Sequence, residues 1–377
     1  MKKLTLFLSL ILFSTGIFAQ TDNFLITGKV IDAITKSPMQ GASVFAQNTT
    51  MGTATDMSGA FTLRLANGGY DLVITFTGYE TITRRITTVD ANEKNLVIEL
   101  KQKEKALEDV VVKASNEVKD GWDKYGTFFI ENFIGKTANS KLCTITNREV
   151  LKFYFYKRKN RLKVMATAPI EIENMALGYK IKYTLDSFTH EYGTEAGVYT
   201  GYPLFEEMIA TDTIQRNTWQ VNRMKAYNGS ILHFMRSVYQ KSLKEEGFEI
   251  QFVAKENEKE TAIPLKDFYG AINYTKDDST LLVSIYPNQL YTAIIYNNEE
   301  PDAEYLLQND EAPKKFQLSV VAIVPNESIG IEQNGYYFDQ NDITLTGYWI
   351  WDKVGDLLPY DYEPNQSSAP MPPKGGF

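Results

Sequence analysis

The chain is poor in the residues that most enzymatic chemistry needs. In 377 residues there is one cysteine, Cys143, and there are two histidines, His190 and His233. A single thiol excludes an intramolecular disulfide, so stability rests on core packing. Cys143 reads as a small buried hydrophobe rather than a reactive thiol. A catalytic zinc takes three nitrogen or carboxylate ligands, and neither histidine opens a His-x-x-Glu or His-Glu-x-x-His pattern. His233 is expected within a helix as a hydrogen-bonded structural residue, and His190, beside Glu191 and Tyr192, in a polar loop at the surface.

Other signatures are missing too. No Gly-x-Ser-x-Gly elbow occurs, and Gly52, Gly59, Gly68 and Gly69 fall in turns between strands rather than in a phosphate-cradling loop. Glu206-Glu207 and Asp277-Asp278 read as exposed charge rather than a glycosidase pair. Asp339-Gln-Asn-Asp342 lacks the remainder of an EF-hand loop. The net charge of −8 lacks the basic surplus that displaces counterions from nucleic acid, so no nucleic-acid partner is expected. No residue is therefore assigned a catalytic, cofactor-binding or metal-binding role, no cofactor is expected, and the chain reads as a non-enzyme.

What is present starts with a leader. Lys2 and Lys3 are followed by the apolar run Leu4 to Phe13 and then by Ser14 to Ala19, the plan of a secretory signal peptide cleaved after Ala19. The run falls short of the roughly 20 residues of a membrane anchor. With no other long apolar segment, no transmembrane helix is expected after cleavage. With no cysteine near the cleavage point, neither is a lipid anchor. The expected location is outside the cytosol: periplasm, outer membrane or cell surface.

Behind the leader, polarity alternates with the period of half-buried strands. Phe61, Leu63 and Leu65 oppose Thr62 and Arg64; Tyr70, Leu72, Ile74 and Phe76 repeat the pattern. Turn signals at Ser37-Pro38, Asp56 to Gly59, Asn67 to Gly69 and Gly78-Tyr79 punctuate the runs. About seven short strands so spaced predict a β-sandwich. The ordered positions Gly28, Val30, Asp32, Pro38, Gly41-Ala42, Val44, Gly52, Thr55-Asp56, Gly59, Phe61, Tyr70 and Gly78-Tyr79 resemble the carboxypeptidase-regulatory-like domain. The resemblance implies a transthyretin-like accessory sandwich over about residues 26–100, without peptidase chemistry, in a protein of the Gram-negative cell envelope.

The charged stretch 101–119 follows. Its Leu107 to Val112 run resembles a segment found after this sandwich in TonB-dependent outer-membrane receptors, and reads either as a strand of the fold or as one offered to a partner's sheet edge. A full receptor is excluded, because too little chain remains for a barrel of about 22 membrane strands of roughly 10 residues each.

Trp122, Tyr125, Phe128, Phe129 and Phe133 then predict an aromatic-faced helix ended by Gly135, its rings in the core. Lys157 to Arg161 reads as a cationic hairpin tip in solvent. Helices are predicted over Thr211 to Tyr227 and, capped by Ser230, over Ser230 to Glu246; a short closing helix is predicted over Tyr348 to Leu357. Phe133 to Thr137, Ile172 to Asn174 with Leu177 to Tyr179, Tyr227 to Ser230, Gly347 to Trp349 and Leu358 to Tyr362 resemble an uncharacterised region that accompanies the sandwich in bacterial surface proteins, a resemblance that implies no activity.

The expected organisation is thus a signal peptide (1–19), a seven-strand sandwich (20–100), a linker or strand (101–119), a larger α+β region with several helices (120–360) and a disordered proline-rich tail (361–377), mainly β throughout. The expected function is an exported, non-catalytic envelope protein with a binding or scaffolding role, its partner an outer-membrane protein or a cell-surface glycan. The alternatives are a glycan-binding accessory module for outer-membrane polysaccharide uptake and an unrecognised hydrolase of surface polymers.

Overall fold

The structure is a computed structural model, and it describes residues 23–88, 95–103, 116–256, 259–325, 327–338 and 343–364. The leader, the Val110 to Val112 run, the Asp339 to Asp342 stretch and the chain from 365 onward lie outside the described residues.

Seven strands build the first layer pair: β1 (Asn23–Asp32), β2 (Ser43–Ala46), β3 (Gly52–Ala54), β4 (Ala60–Ala66), β5 (Gly69–Thr75), β6 (Ile82–Thr87) and β7 (Leu96–Leu100). They form two sheets, ordered β4-β1-β7 and β3-β2-β5-β6. Only the β1–β7 pairing in these two sheets is parallel. The alternation in the sequence is the cause: Phe61, Leu63 and Leu65 go inward while Thr62 and Arg64 stay out. Ile26, Val30, Val44, Leu72, Ile74 and Leu100 fill the space between the sheets. Gly28 sits where the layers close, since a Cβ there would lie 2.5 Å from the Leu96 carbonyl oxygen and 2.8 Å from the Phe61 ring.

The second sheet is buried on both faces. Phe45 and Val73 pair in register, point away from the sandwich core and are still 2% and 0% exposed. A body built from the rest of the chain covers them, Leu204 reaching the strand at Gly52.

That body starts with helix α1 (Gly121–Phe133), the aromatic stripe of the sequence. It lies on a six-stranded sheet of β8 (Cys143–Ile145), β9 (Leu151–Tyr156), β10 (Arg161–Ala166), β11 (Ile170–Asn174), β12 (Tyr179–Glu191) and β13 (Ala196–Glu207). Phe129 and Phe133 are fully buried, stack on each other and meet Phe153, Phe188 and Tyr183 edge-on. Helices α2 (Thr213–Tyr227) and α3 (Ile231–Gln240) follow. Next come β14 (Phe248–Glu256), β15 (Lys259–Pro264), the single turn α4 (Phe268–Ala271), β16 (Thr275–Lys276), β17 (Val283–Ile285) and β18 (Tyr291–Tyr296). The chain continues through α5 (Ala303–Gln308), β19 (Gln317–Ile323), β20 (Ile329–Ile331), β21 (Tyr337–Phe338) and β22 (Ile343–Gly347). One sheet of order β15-β14-β18-β19-β22 and another of order β16-β17-β20-β21 share a core with α3 through Phe234, Met235 and Val238.

Three sequence expectations are corrected. α3 stops at Gln240, not Glu246, because Lys241 takes a left-handed conformation (φ 57°). The Lys241 amide then bonds back to Val238 and the Ser242 amide to Ser237, closing the helix end. The stretch 348–357 is two 3-10 turns, Tyr348–Ile350 and Val354–Asp356, rather than a helix. Its backbone bonds sideways instead, Gly355 donating to the Ile134 carbonyl and accepting from Asn174. Asp361 and Tyr362, expected within a disordered tail, are tied into the fold by Thr50 and Arg236. Among the described residues no helix is long and apolar enough to cross a membrane.

Candidate functional site

The residues singled out in the sequence do not converge. His233 is buried in α3: the Gly229 amide donates to its Nδ1 at 3.1 Å, which places the proton on Nε2, 3.2 Å from a Glu246 carboxylate oxygen. Burial lowers its pKa, with Glu246 opposing. His190 is not in a surface loop. It is 4% exposed near the end of β12, which runs longer than its sequence suggested, and the ring is clamped edge-on by Phe128 of α1 and by Tyr192. Cys143 is half-buried and donates to the Asn139 carbonyl; desolvation, then the nearby Asp356, push its thiol up to about 12. Such a thiol carries negligible thiolate at neutral pH.

The acidic pairs also separate. Asp277 caps its own turn through Ser279, and Glu207 pairs with Arg223 at 2.8 Å. Lys157 to Lys159 form the exposed tip of the β9–β10 hairpin, while Arg161 is held by Glu191.

The short motifs of the second half turn out to be joints. In the turn 174–178, the Asn174 side chain accepts from the amides of Ala176 and Leu177 and donates to the Gly355 carbonyl. α2 lies across this turn, and Trp219, Asn222 and Arg223 donate to the carbonyls of Met175, Ala176 and Leu177. Gly178 (φ 69°) has no room for a Cβ, which would sit 2.3 Å from the Trp219 ring. Arg236 of α3 donates to the carbonyls of Asn334, Tyr360 and Tyr362. Asp356 accepts from the hydroxyl of Thr137 at 2.8 Å and the amide of Asn139 at 3.0 Å. Burial nevertheless raises its pKa to about 6. None of these joints was legible as a site, because each links positions far apart in the sequence.

The junction between sandwich and body is polar. Asn334 donates to the Gly69 carbonyl, the Tyr336 hydroxyl donates to Asp71 at 3.0 Å, and Asp361 accepts from the Thr50 amide. The guanidinium of Arg85 lies 3.3 Å from the centre of the Phe338 ring and 3.7 Å from buried Glu332.

Residues 26–112 match the family model of the CarboxypepD_reg-like domain. The N-terminal module is a CarboxypepD_reg-like domain. The last part of the match, 104–112, lies outside the described residues. No curated protein matched the chain. Among solved structures, 3-chlorocatechol 1,2-dioxygenase from Rhodococcus opacus 1CP aligns at 12% identity and a TM-score of 0.19, covering 23% of this chain and 62% of that one. A 9R-lipoxygenase from Cyanothece PCC8801 aligns at 8% identity and a TM-score of 0.16, covering 62% and 51%. The alignments span less than two thirds of those chains, and likenesses this weak carry no argument about fold or activity.

Away from the junction, Asp32 and Asp56 of the CarboxypepD_reg-like domain serve its own turns. The amide of Thr35, the hydroxyl of Tyr79 and the amide of Ile34 hold Asp32 down at about 2. One concave feature in the larger body stands apart from the joints: an open cleft of about 390 Å³ between the end of α3 and α4, lined by Lys241, Asp267, Tyr269, Asn273 and Tyr274. Asp267 is the one carboxylate in its wall.

Proposed function

We propose that this is an exported, non-catalytic protein of the cell envelope, periplasmic or held at the outer membrane by a partner. Its CarboxypepD_reg-like domain serves as a base, and the larger α+β body supplies a binding or scaffolding surface. The observation that carries the reading is the use made of buried polar groups. Five of the six buried Asp, Glu, His and Arg side chains of the described residues are held by a polar structural neighbour: Asp32 by its turn, His233 by Gly229 and Glu246, Arg236 by three carbonyls, Glu332 by Arg85 and Asp356 by Thr137; the sixth, His190, is packed between Phe128 and Tyr192 with no hydrogen bond to its Nε2. Catalytic acids and bases are instead gathered, with their orienting partners, around a concave site that substrate can enter. The leader Lys2 to Ala19 supports export.

Cross-linking in intact cells followed by fractionation tests both halves of the reading. Recovery of the chain in the envelope fraction, shortened by residues 1–19 and joined to an envelope component, is the expected result. A cytosolic, full-length product would overturn it, as would turnover of a surface polymer by the purified protein that a single carboxylate-to-amide change removes.

A further inference from the structure

The cleft beside α3 lies where two helical segments end. Lys241 occupies the left-handed position that closes a helix, where glycine is the residue without steric penalty. Asn273, on the opposite wall, is also left-handed, with φ 46°. Lys241, Asp267, Tyr269, Asn273 and Tyr274 stand around the concavity between these two ends.

Those side chains are complementary in chemistry. The Lys241 ammonium rests 4.3 Å from the centre of the Tyr274 ring and 5.8 Å from that of Tyr269, with no carboxylate at ion-pair distance among the described residues. The two tyrosine rings meet edge-to-face, 5.5 Å apart at 83°, so they present walls in two directions. Both hydroxyls point into the protein, Tyr269 accepting from the Leu243 amide and Tyr274 donating to the Tyr239 carbonyl, which fixes the rings. Asp267 uses one carboxylate oxygen to hold the Gly270 amide, and the other has no protein partner among the described residues. Asn273 is locked by donating to the Tyr286 carbonyl and the Asn288 side chain, both at 2.7 Å.

Fixed aromatic faces, one mobile multi-donor cation and one carboxylate acceptor in an open cleft suit a ligand with an apolar face and a rim of hydroxyls. An apolar ligand would need an enclosure that this open cleft does not offer. We propose that this cleft binds a pyranose unit of a glycan: the C–H face of the sugar packs on Tyr269 and Tyr274, Lys241 lifts off the ring to donate to sugar oxygens, and Asp267 accepts from a neighbouring hydroxyl. The proposal rests on reading the chain as a binding protein and names the ligand class of its larger body.

Titration calorimetry of the full mature protein tests it, with neutral hexasaccharides (cellohexaose, mannohexaose) in one arm and a hexagalacturonate in the other. Saturable binding in at least one arm is expected. Preference for the uronate that fades with salt would assign a carboxylate to Lys241, and equal binding a hydroxyl. Lys241→Gly is expected to weaken binding by at least about tenfold, while its thermal midpoint holds or rises because glycine suits the position. Tyr274→Phe, which keeps the ring, is expected to bind as the parent, and Tyr274→Ala to lose binding. No heat in either arm, or binding indifferent to both Lys241→Gly and Tyr274→Ala, overturns the cleft as the site. Cleavage of a bound sugar would instead overturn the non-catalytic reading and leave the cleft proposal to the variants.

Discussion

The two regions of this protein are held together by different means. In the CarboxypepD_reg-like domain, the turns are held by side-chain hydrogen bonds short in sequence: Asp32 serves the amides of Ile34 and Thr35, and Asp56 those of Ser58 and Ala60. In the larger body the decisive bonds are long. Arg236 reaches Asn334, Tyr360 and Tyr362, Asn174 reaches Gly355, and the Trp349 indole donates to the Gly229 carbonyl. Local bonds fix the shape of each turn before the sheet assembles. Long ones exist only once the whole chain is in place, and the final strap, 348–362, supplies them to the body at Asn174, Gly229 and Arg236 and meets the sandwich at Asn48 and Thr50.

The largest expected effect is at the strap. Arg236→Met removes the donor to three carbonyls, two of them on the strap, and should lower unfolding free energy by about 3–5 kcal/mol. Urea denaturation followed by a probe in each region sharpens the contrast: the body should melt first and the sandwich persist. Simultaneous loss of both regions would break it.

Asp356 comes next. Its folded pKa of about 6 lies above the ordinary 3.8, so the folded state holds the proton more tightly. Stability from this group is present at low pH and is lost as pH rises between about 4 and 6. Asp356→Asn should flatten that slope, on the order of 2–3 kcal/mol across the window, in denaturation curves taken at each pH. An unchanged slope would show that the strap does not feel this carboxyl.

A smaller effect is expected at the junction. Tyr336→Phe removes one hydrogen bond to the half-buried carboxylate of Asp71, and should cost about 1–2 kcal/mol. A double-mutant cycle with Asp71→Asn should return most of that value as coupling. The smallest belongs to the sandwich surface, where Lys36 and Glu99 pair at 2.8 Å with both side chains about half exposed. Their cycle should give under about 0.5 kcal/mol, and nothing at high salt.

How much of this was legible follows from the same contrast. The sandwich could be read because period-two alternation at Phe61, Leu63 and Leu65 and the turns at Asp56 to Gly59 are local signals. The aromatic stripe of α1 was legible for a similar reason, Phe129 and Phe133 being one turn apart on a face that buries them. The early end of α3 was not, because Lys241 is an unusual residue for a left-handed helix end and Gly247 offers a stronger local stop. His190 was misplaced because its neighbours in sequence are polar, whereas its burial comes from Phe128, 62 positions away by residue number. The cleft gave no signal at all, since Lys241, Asp267 and Tyr274 meet only after α3 and α4 have packed.

The sequence alone therefore determined the class of the first module and the absence of familiar motif patterns, since both are properties of residue order and count. Tertiary structure decided what the remaining motifs are for. Asn174, Arg223, Arg236 and Asp356 could each have served a site, and their partners assign them to joints instead. The reason is physical: a buried polar side chain takes its role from the group that satisfies it, and in this body that group lies on a distant part of the chain.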